Sequence, residues 1–359
     1  ESVSIEVWSE LENTPESVTL TETDLSTGIF QGYIPLDDAT GVPFTDGQLQ
    51  VNHGDWIYFE YIDPADDWGL VDTIKKGIVF DASVYVQTMI TEPTIWPSEN
   101  GPYILSGDLR VFSDLTIEPG SEIYFLKNDS INNGWSEYKI EIHIDASGYL
   151  NAEGTQTDSI LFSSYSIKPE PGDWAFIRPS HNRDGGARGY SLEYVKIEYA
   201  KTGLLNGYNR DESNIKNSTI TNCKTAFFGS GNGNNISFNS NKIIGNQKGL
   251  DLQWGSANDT TFILDNLISN NSEYGLYIAI SNNIAYVEKN DIINNNIGLK
   301  IWESLEIPDS IYFRYNNVYN NIIDANARSF FTAKYNYWGQ ETTSEINNSD
   351  NPKDISSFK

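Results

Sequence analysis

The chain has one cysteine, Cys223, and so can form no internal disulfide. That residue follows an asparagine of the repeat described below, which marks it as a small core residue rather than a nucleophile. No apolar run reaches the roughly 18 residues that a membrane-spanning helix needs. Basic residues are scarce as well: 23 Lys and Arg against 50 Asp and Glu leave a formal net charge of −27. So acidic a chain repels phosphate backbones and anionic headgroups, which argues against nucleic acid and anionic membrane as partners. The single methionine, Met89, is internal and the chain opens at Glu1, as expected of a processed or trimmed form whose targeting segment is gone. Hydrophobic residues at 38% and aromatics at 13% exclude global disorder. Few Cys with abundant Tyr, Trp, Asn and Thr and strong acidity point to a secreted or cell-surface protein.

Two asparagine series run through the C-terminal half. One is Asn217, Asn241, Asp265, Asn290, Asn316, and the other is Asn222, Asn246, Asn270, Asn295, Asn321; both advance in steps of 24, 24, 25 and 26. Short apolar segments follow each second-series residue: Ala226–Phe228, Leu250–Leu252, Leu276–Ile278 and Leu299–Ile301. A constant period of this size with strand-length segments predicts a solenoid. No repeat holds a helical period as long as about ten residues, so each coil is built of short strands stacked in parallel at about 4.8 Å. Asn suits the corners because it accepts left-handed backbone, and stacked Asn amides can bond the copies above and below.

Residues 1–86 read differently. Val3–Trp8, Ser17–Thr23, Gly28–Ile34, Leu49–Val51 and Asp55–Tyr61 are short alternating strands parted by turn chemistry such as Asp46-Gly47 and Asp63-Pro64, which predicts an antiparallel β-sandwich. The stretches Val18-Thr19-Leu20-Thr21-Glu22-Thr23, Thr27-Gly28-Ile29-Phe30-Gln31-Gly32-Tyr33-Ile34 and Asp46-Gly47-Gln48-Leu49-Gln50-Val51 resemble an immunoglobulin-like module of prokaryotic surface proteins. That resemblance implies spacing or display. Residues 87–103, carrying Pro93, Pro97 and Pro102, read as a linker, residues 104–340 as the solenoid, and 341–359 as a polar cap or tail.

Tyr103-Ile104-Leu105-Ser106-Gly107-Asp108-Leu109, Ile160-Leu161-Phe162-Ser163-Ser164, Tyr194-Val195-Lys196-Ile197-Glu198-Tyr199-Ala200 and the closing Tyr335-Asn336-Tyr337-Trp338-Gly339 resemble right-handed parallel β-helix proteins of the pectin-lyase-like superfamily. The resemblance implies an all-β, right-handed parallel β-helix of some eight coils, about 40 Å long. Members include lyases, glycosidases, adhesins and surface proteins, so the fold does not choose a function.

Outward strand positions are where chemistry is expected. Strand parity places Asp251, Gln253, Tyr277, Lys300, Trp302, Asn326 and Arg328 outside, with Phe227, Trp174, Phe176 and Arg178 joining them from earlier coils. Aromatic faces beside amides and charges fit sugar rings and their hydroxyls. A glycosidase needs two facing carboxylates, and only Asp251 is offered; Asp251 with Lys300 and Arg328 is the nearest imitation of a pectate-lyase-like site. Glu141, His143 and Asp145 project from one strand face, which reads as a solvated face rather than a metal site. Asp63, Asp66 and Asp67 form an acidic turn with weak calcium potential, and no other cofactor is called for. The glycine-rich insertion 180–189 reads first as a flexible loop with solubilising charges and second as a reach toward an acidic sugar, with Arg178, Arg183 and Arg188 as carboxylate forks.

The expectation is a non-catalytic surface protein for adhesion or display, with polysaccharide or cell-surface glycan as ligand and other surface proteins as further partners. A polysaccharide lyase or glycoside hydrolase, and a structural part of a surface layer or appendage, are the rivals. Convergent carboxylates on adjacent coils would favour the enzyme, and an aromatic strip without them would favour glycan binding.

Overall fold

The structure, a computed structural model, describes residues 1–25, 27–37, 46–51, 55–64, 69, 71–80, 84–86, 89–127, 138–145, 147–179, 188–206, 213–231, 236–254, 260–279, 284–301, 311–327 and 332–339. These fall into two compact units, Glu1–Ser83 and Val84–Lys359.

In the first unit one antiparallel sheet runs in the order Phe30–Gln31, Glu16–Glu22, Ser2–Ser9, Trp56–Asp63, Asp72–Val79. Alternation sends Val7, Val18 and Ile57 to its inner face, where Leu49 and Val51 close the core. Leu49–Gln50 pairs with Leu36–Asp37 in a small parallel pair, so the described residues form one sheet with a two-stranded backing, not two matched antiparallel layers. The strand Asp72–Val79 escaped the sequence reading because Lys75, Lys76 and Gly77 break its alternation.

The second unit is a parallel β-solenoid of three ten-stranded sheets. The first sheet runs from Val84–Val86 to Asn317–Tyr319, the second from Met89–Ile90 to Ile323–Ala327, and the third from Thr94–Trp96 to Thr332–Lys334. Of the expected linker 87–103, residues 89–103 therefore belong to the solenoid, and 87 and 88 lie outside the described residues. Met89–Ile90 pairs with Leu109–Val111 and Thr94–Trp96 with Asp114–Ile117, which makes them part of the opening coil. Pro93, Pro97 and Pro102 sit just outside the strands, where no ladder N–H is required. The expected cap at 341–359 lies outside the described residues.

Both asparagine ladders form, one residue out of the expected register at several rungs. The first is Ser218, Asn241, Asn266, Asn290, Asn316 and Asn336, and each residue's backbone N–H donates to the next side-chain Oδ1 at 2.8–2.9 Å. The second is Cys223, Asn246, Asn271, Asn295 and Asn321, linked the same way at 2.8–3.1 Å. Asn217, Asp265, Asn222 and Asn270 instead occupy the preceding position, at φ of 51°, 56°, 54° and 56°. From Asn241 to Asn336 each ladder corner thus splits its work between two residues. One takes the left-handed backbone and is Asn, Asp, Gly, Ser, Lys or Tyr; the next carries the amide.

Beside the second ladder the coils approach closely. A β-carbon on Gly249 would lie 2.0 Å from the Gly275 carbonyl oxygen, so a side chain there forces the coils apart. Inside, Phe125 stacks on Trp174 at 4.0 Å and Phe227 meets Phe238 edge-on at 4.8 Å. Cys223 is buried among these coils, its Sγ donating to the Thr221 carbonyl at 3.3 Å. Burial pushes the thiol up to about 12. The native protein is expected to leave Ellman's reagent uncoloured at neutral pH and to react with one equivalent once denatured; fast native reaction would refute the core assignment.

Candidate functional site

Two of the three corners are closed by the ladders. The third joins the second sheet to the third through segments of differing length, among them 112–113, 180–189, 207–212 and 302–310. The outward faces of the second and third sheets flank this variable corner, which is where a solenoid can carry function without disturbing its repeat.

On the second sheet the outward column runs Phe228, Asp251, Tyr277, Lys300, Asn326 through direct cross-strand pairs. Asp251 is buried. Its Oδ2 accepts the Tyr274 hydroxyl at 2.6 Å and its Oδ1 accepts Gln253 Nε2 at 2.9 Å. Burial and that bond to Asp251 raise the Tyr274 hydroxyl far above its ordinary value. Lys300 Nζ lies 4.9 Å from the Tyr277 ring centre and 5.5 Å from that of Tyr274. The fold therefore unites Asp251, Gln253, Tyr277 and Lys300. It makes Asp251 an anchor with both oxygens engaged, a poor geometry for proton transfer. Trp302 and Arg328 lie outside the described residues.

Four residues expected on the exposed face are buried instead. Phe227 is fully buried and pairs with Leu250, because the strand enters from its corner with two consecutive inward residues, Ala226 and Phe227. The neighbour Phe228 takes the outward place. Trp174 lies in the core, with Nε1 donating to the Glu198 carbonyl at 2.8 Å. Phe176 and Arg178 are also buried, and the Arg178 guanidinium lies 5.8 Å from the Phe176 ring centre.

Arg178 belongs to a cluster that strand parity located but misjudged. Arg110, His143 and Arg178 are successive neighbours in the outward column of the second sheet. Glu141, His143 and Asp145 are buried, at 0%, 2% and 8% exposure, and so do not form a solvated face. Arg110 grips Asp145 with two bonds of 2.8 and 2.9 Å, His143 Nδ1 lies 3.4 Å from Glu141, and Asp108 accepts the Glu141 backbone N–H at 2.9 Å. Desolvation lowers the Arg178 pKa against the pull of Glu141 and Asp145. Three carboxylates thus share a buried cluster with two guanidiniums and an imidazole, and the direct Arg110–Asp145 pair lowers the cost of carrying charge out of water. Among the described residues no group of His, Cys, Asp or Glu is arranged to hold a metal. Asp63 pairs across the N-terminal sheet with Asp72, while Asp66 and Asp67 lie outside the described residues.

The third sheet carries an aromatic row that the sequence did not reveal. Its outward column runs Asn214, Ser237, Phe262, Tyr286, Tyr312. The three rings stack nearly parallel, with centroids 5.4 and 4.8 Å apart and both interplanar angles 9°. Arg314, 5.8 Å from the Tyr312 ring centre, donates to Glu288 at 2.5 Å and fixes a charged border. Phe262 is 38% exposed, and Ser237, next in the column, is too short to cover its remaining face. The ring spacings of 24 and 26 residues match the asparagine steps, so carrying that period one strand back would have found the row.

The chain matches no protein-family model, no curated protein and no solved structure.

Proposed function

We propose that this is a non-catalytic glycan-binding protein, secreted or held at a cell surface, whose solenoid grips a sugar chain along the faces beside its variable corner. The Phe262–Tyr286–Tyr312 row carries the reading. An open aromatic face takes the C–H side of a pyranose, a contact worth about 0.5–1.5 kcal/mol beyond the area it buries. Hydroxyls of Tyr286 and Tyr312 and the polar groups of Ser237 and Asn214 stand beside it for the sugar hydroxyls. On the second sheet, Tyr277, Lys300 and the exposed Gln253 offer the same mixture. The nearest carboxylate there, Asp251, is committed to Tyr274 and Gln253, which supports binding over bond cleavage.

Affinity gel electrophoresis in neutral and uronic-acid polysaccharides, with and without calcium, tests this. Retardation without polymer breakdown is expected. Phe262→Ala should weaken it about five- to tenfold, the equivalent of one lost stacking contact, and Tyr277→Ala should weaken it less. Polymer breakdown would overturn the non-catalytic reading, and unretarded migration in every gel would overturn glycan binding.

A further inference from the structure

We infer that the N-terminal unit carries a separate binding site for a neutral pyranose chain, formed by Trp8, Tyr58 and Trp56 on the outer face of its antiparallel sheet. Alternation along Ser2–Ser9 and Trp56–Asp63 turns Val7, Ser9 and Ile57 inward and these three aromatics outward. Trp8 and Tyr58 are direct cross-strand partners, and Trp56 lies two residues before Tyr58 on the same strand. Their rings form a nearly parallel row, with centroids 5.6 and 6.3 Å apart and interplanar angles of 22° and 19°. Trp56 is 44% exposed, so a large apolar ring stands in water at the end of the row.

The neighbouring strand is shaped to this row. Tyr58 pairs with Gly77, and a β-carbon on Gly77 would come within 3.2 Å of Trp56 Cε3 and 3.3 Å of Tyr58 Cδ1. The rings therefore lean over the one position of Asp72–Val79 that has no side chain. Glycine weakens a strand interior, and here it leaves room for the Trp56 and Tyr58 rings above this strand. The rings partly cover one another and leave the exposed Trp56 at the end of the row, whose free face is what pyranose C–H groups stack on.

The border decides the ligand's charge. Glu6 and Glu60 are cross-strand partners beside the row, and Glu10 accepts the Trp56 backbone N–H at 3.1 Å. Lys75, 6.0 Å from the Trp8 ring centre, is ion-paired with Glu60. A border of this sign repels uronates and sulfated sugars, while its carboxylates accept hydroxyl protons of a neutral hexose.

This site stands apart from the solenoid row, and its test has its own reporter. The 359-residue chain is titrated with hydroxyethyl cellulose, galactomannan and polygalacturonate while tryptophan emission and gel retardation are followed. At least one neutral polymer should shift the emission to the blue, and polygalacturonate should not. Trp56→Ala should abolish the shift and weaken binding of that polymer about tenfold; Trp56→Phe should recover part of the affinity. Phe262→Ala should leave the emission shift intact, which separates this site from the solenoid row. Circular dichroism confirms that each variant is folded. Absence of any shift with both neutral polymers, or unchanged affinity in folded Trp56→Ala, would overturn the assignment.

Discussion

Replacing Asn290 with alanine is expected to destabilise the solenoid by about 3–5 kcal/mol, enough to move its urea midpoint well outside experimental error. The residue is fully buried, and its side chain makes five hydrogen bonds: Nδ2 donates to the carbonyls of Ile263 and Glu288 and to Asn316 Oδ1, and Oδ1 accepts the Asn266 backbone and side-chain N–H groups. Alanine strands the Asn266 backbone N–H and the Ile263 carbonyl out of reach of bulk water, each costing about 1–3 kcal/mol. Asn290→Asp keeps the acceptor, loses every donor and points a carboxylate at three oxygens, so it should be no milder. Its deficit should also depend on pH. Repulsion raises the folded-state pKa of the new carboxyl above its unfolded value, so the native state binds the proton more tightly and stability falls as pH rises. The loss at pH of about 7 should therefore exceed that at about 4. Asp265→Asn is the control. Asp265 is exposed at φ 56°, and asparagine tolerates that backbone, so no more than a few tenths of a kcal/mol is expected. Equal damage at 265 and 290 would mean that the ladder runs through the residue before each rung.

Cutting the ionic group should have the next largest effect. Arg110→Met removes both bonds to Asp145, whose side chain is only 12% exposed, and leaves that carboxylate without its direct partner beside Glu141 and Asp108. Breaking such a pair costs about 3–5 kcal/mol when it is fully buried. Arg110 retains 27% exposure, so a loss near 3 kcal/mol is expected. The double variant Arg110→Met, Asp145→Leu should recover much of it, because an apolar pair has no desolvation penalty to offset. If the double variant is as unstable as the sum of the two single ones, Arg110 and Asp145 are not coupled.

Much of this was legible in the residues. The steps of 24 to 26 announced the solenoid, and the interval of five between the two series foretold two closed corners. Less legible was which of two adjacent polar residues carries the amide. Asp265 and Asn266, or Asn270 and Asn271, satisfy the spacing equally, and only the left-handed backbone at the first of each pair breaks the tie. The opening coil was hidden by its prolines, which mark turns to a reader of sequence and proved to be corners of the repeat.

By itself, then, the chain determined its period, the alternation of its strands and the amide chemistry at its corners, because these depend on residues close in sequence and on the geometry of one coil. Tertiary structure decided what lies buried. Parity assigned Glu141, His143 and Asp145 to an outward face, yet they are enclosed with Arg110 and Arg178. Parity failed at Phe227, where the chain leaves its corner with two inward residues in succession. Ring contacts such as Phe262 on Tyr286 join residues a full coil apart, and only stacking in register brings them together. Exposure and partnership belong to neighbours distant in sequence, and the stacking of coils is what supplies those neighbours.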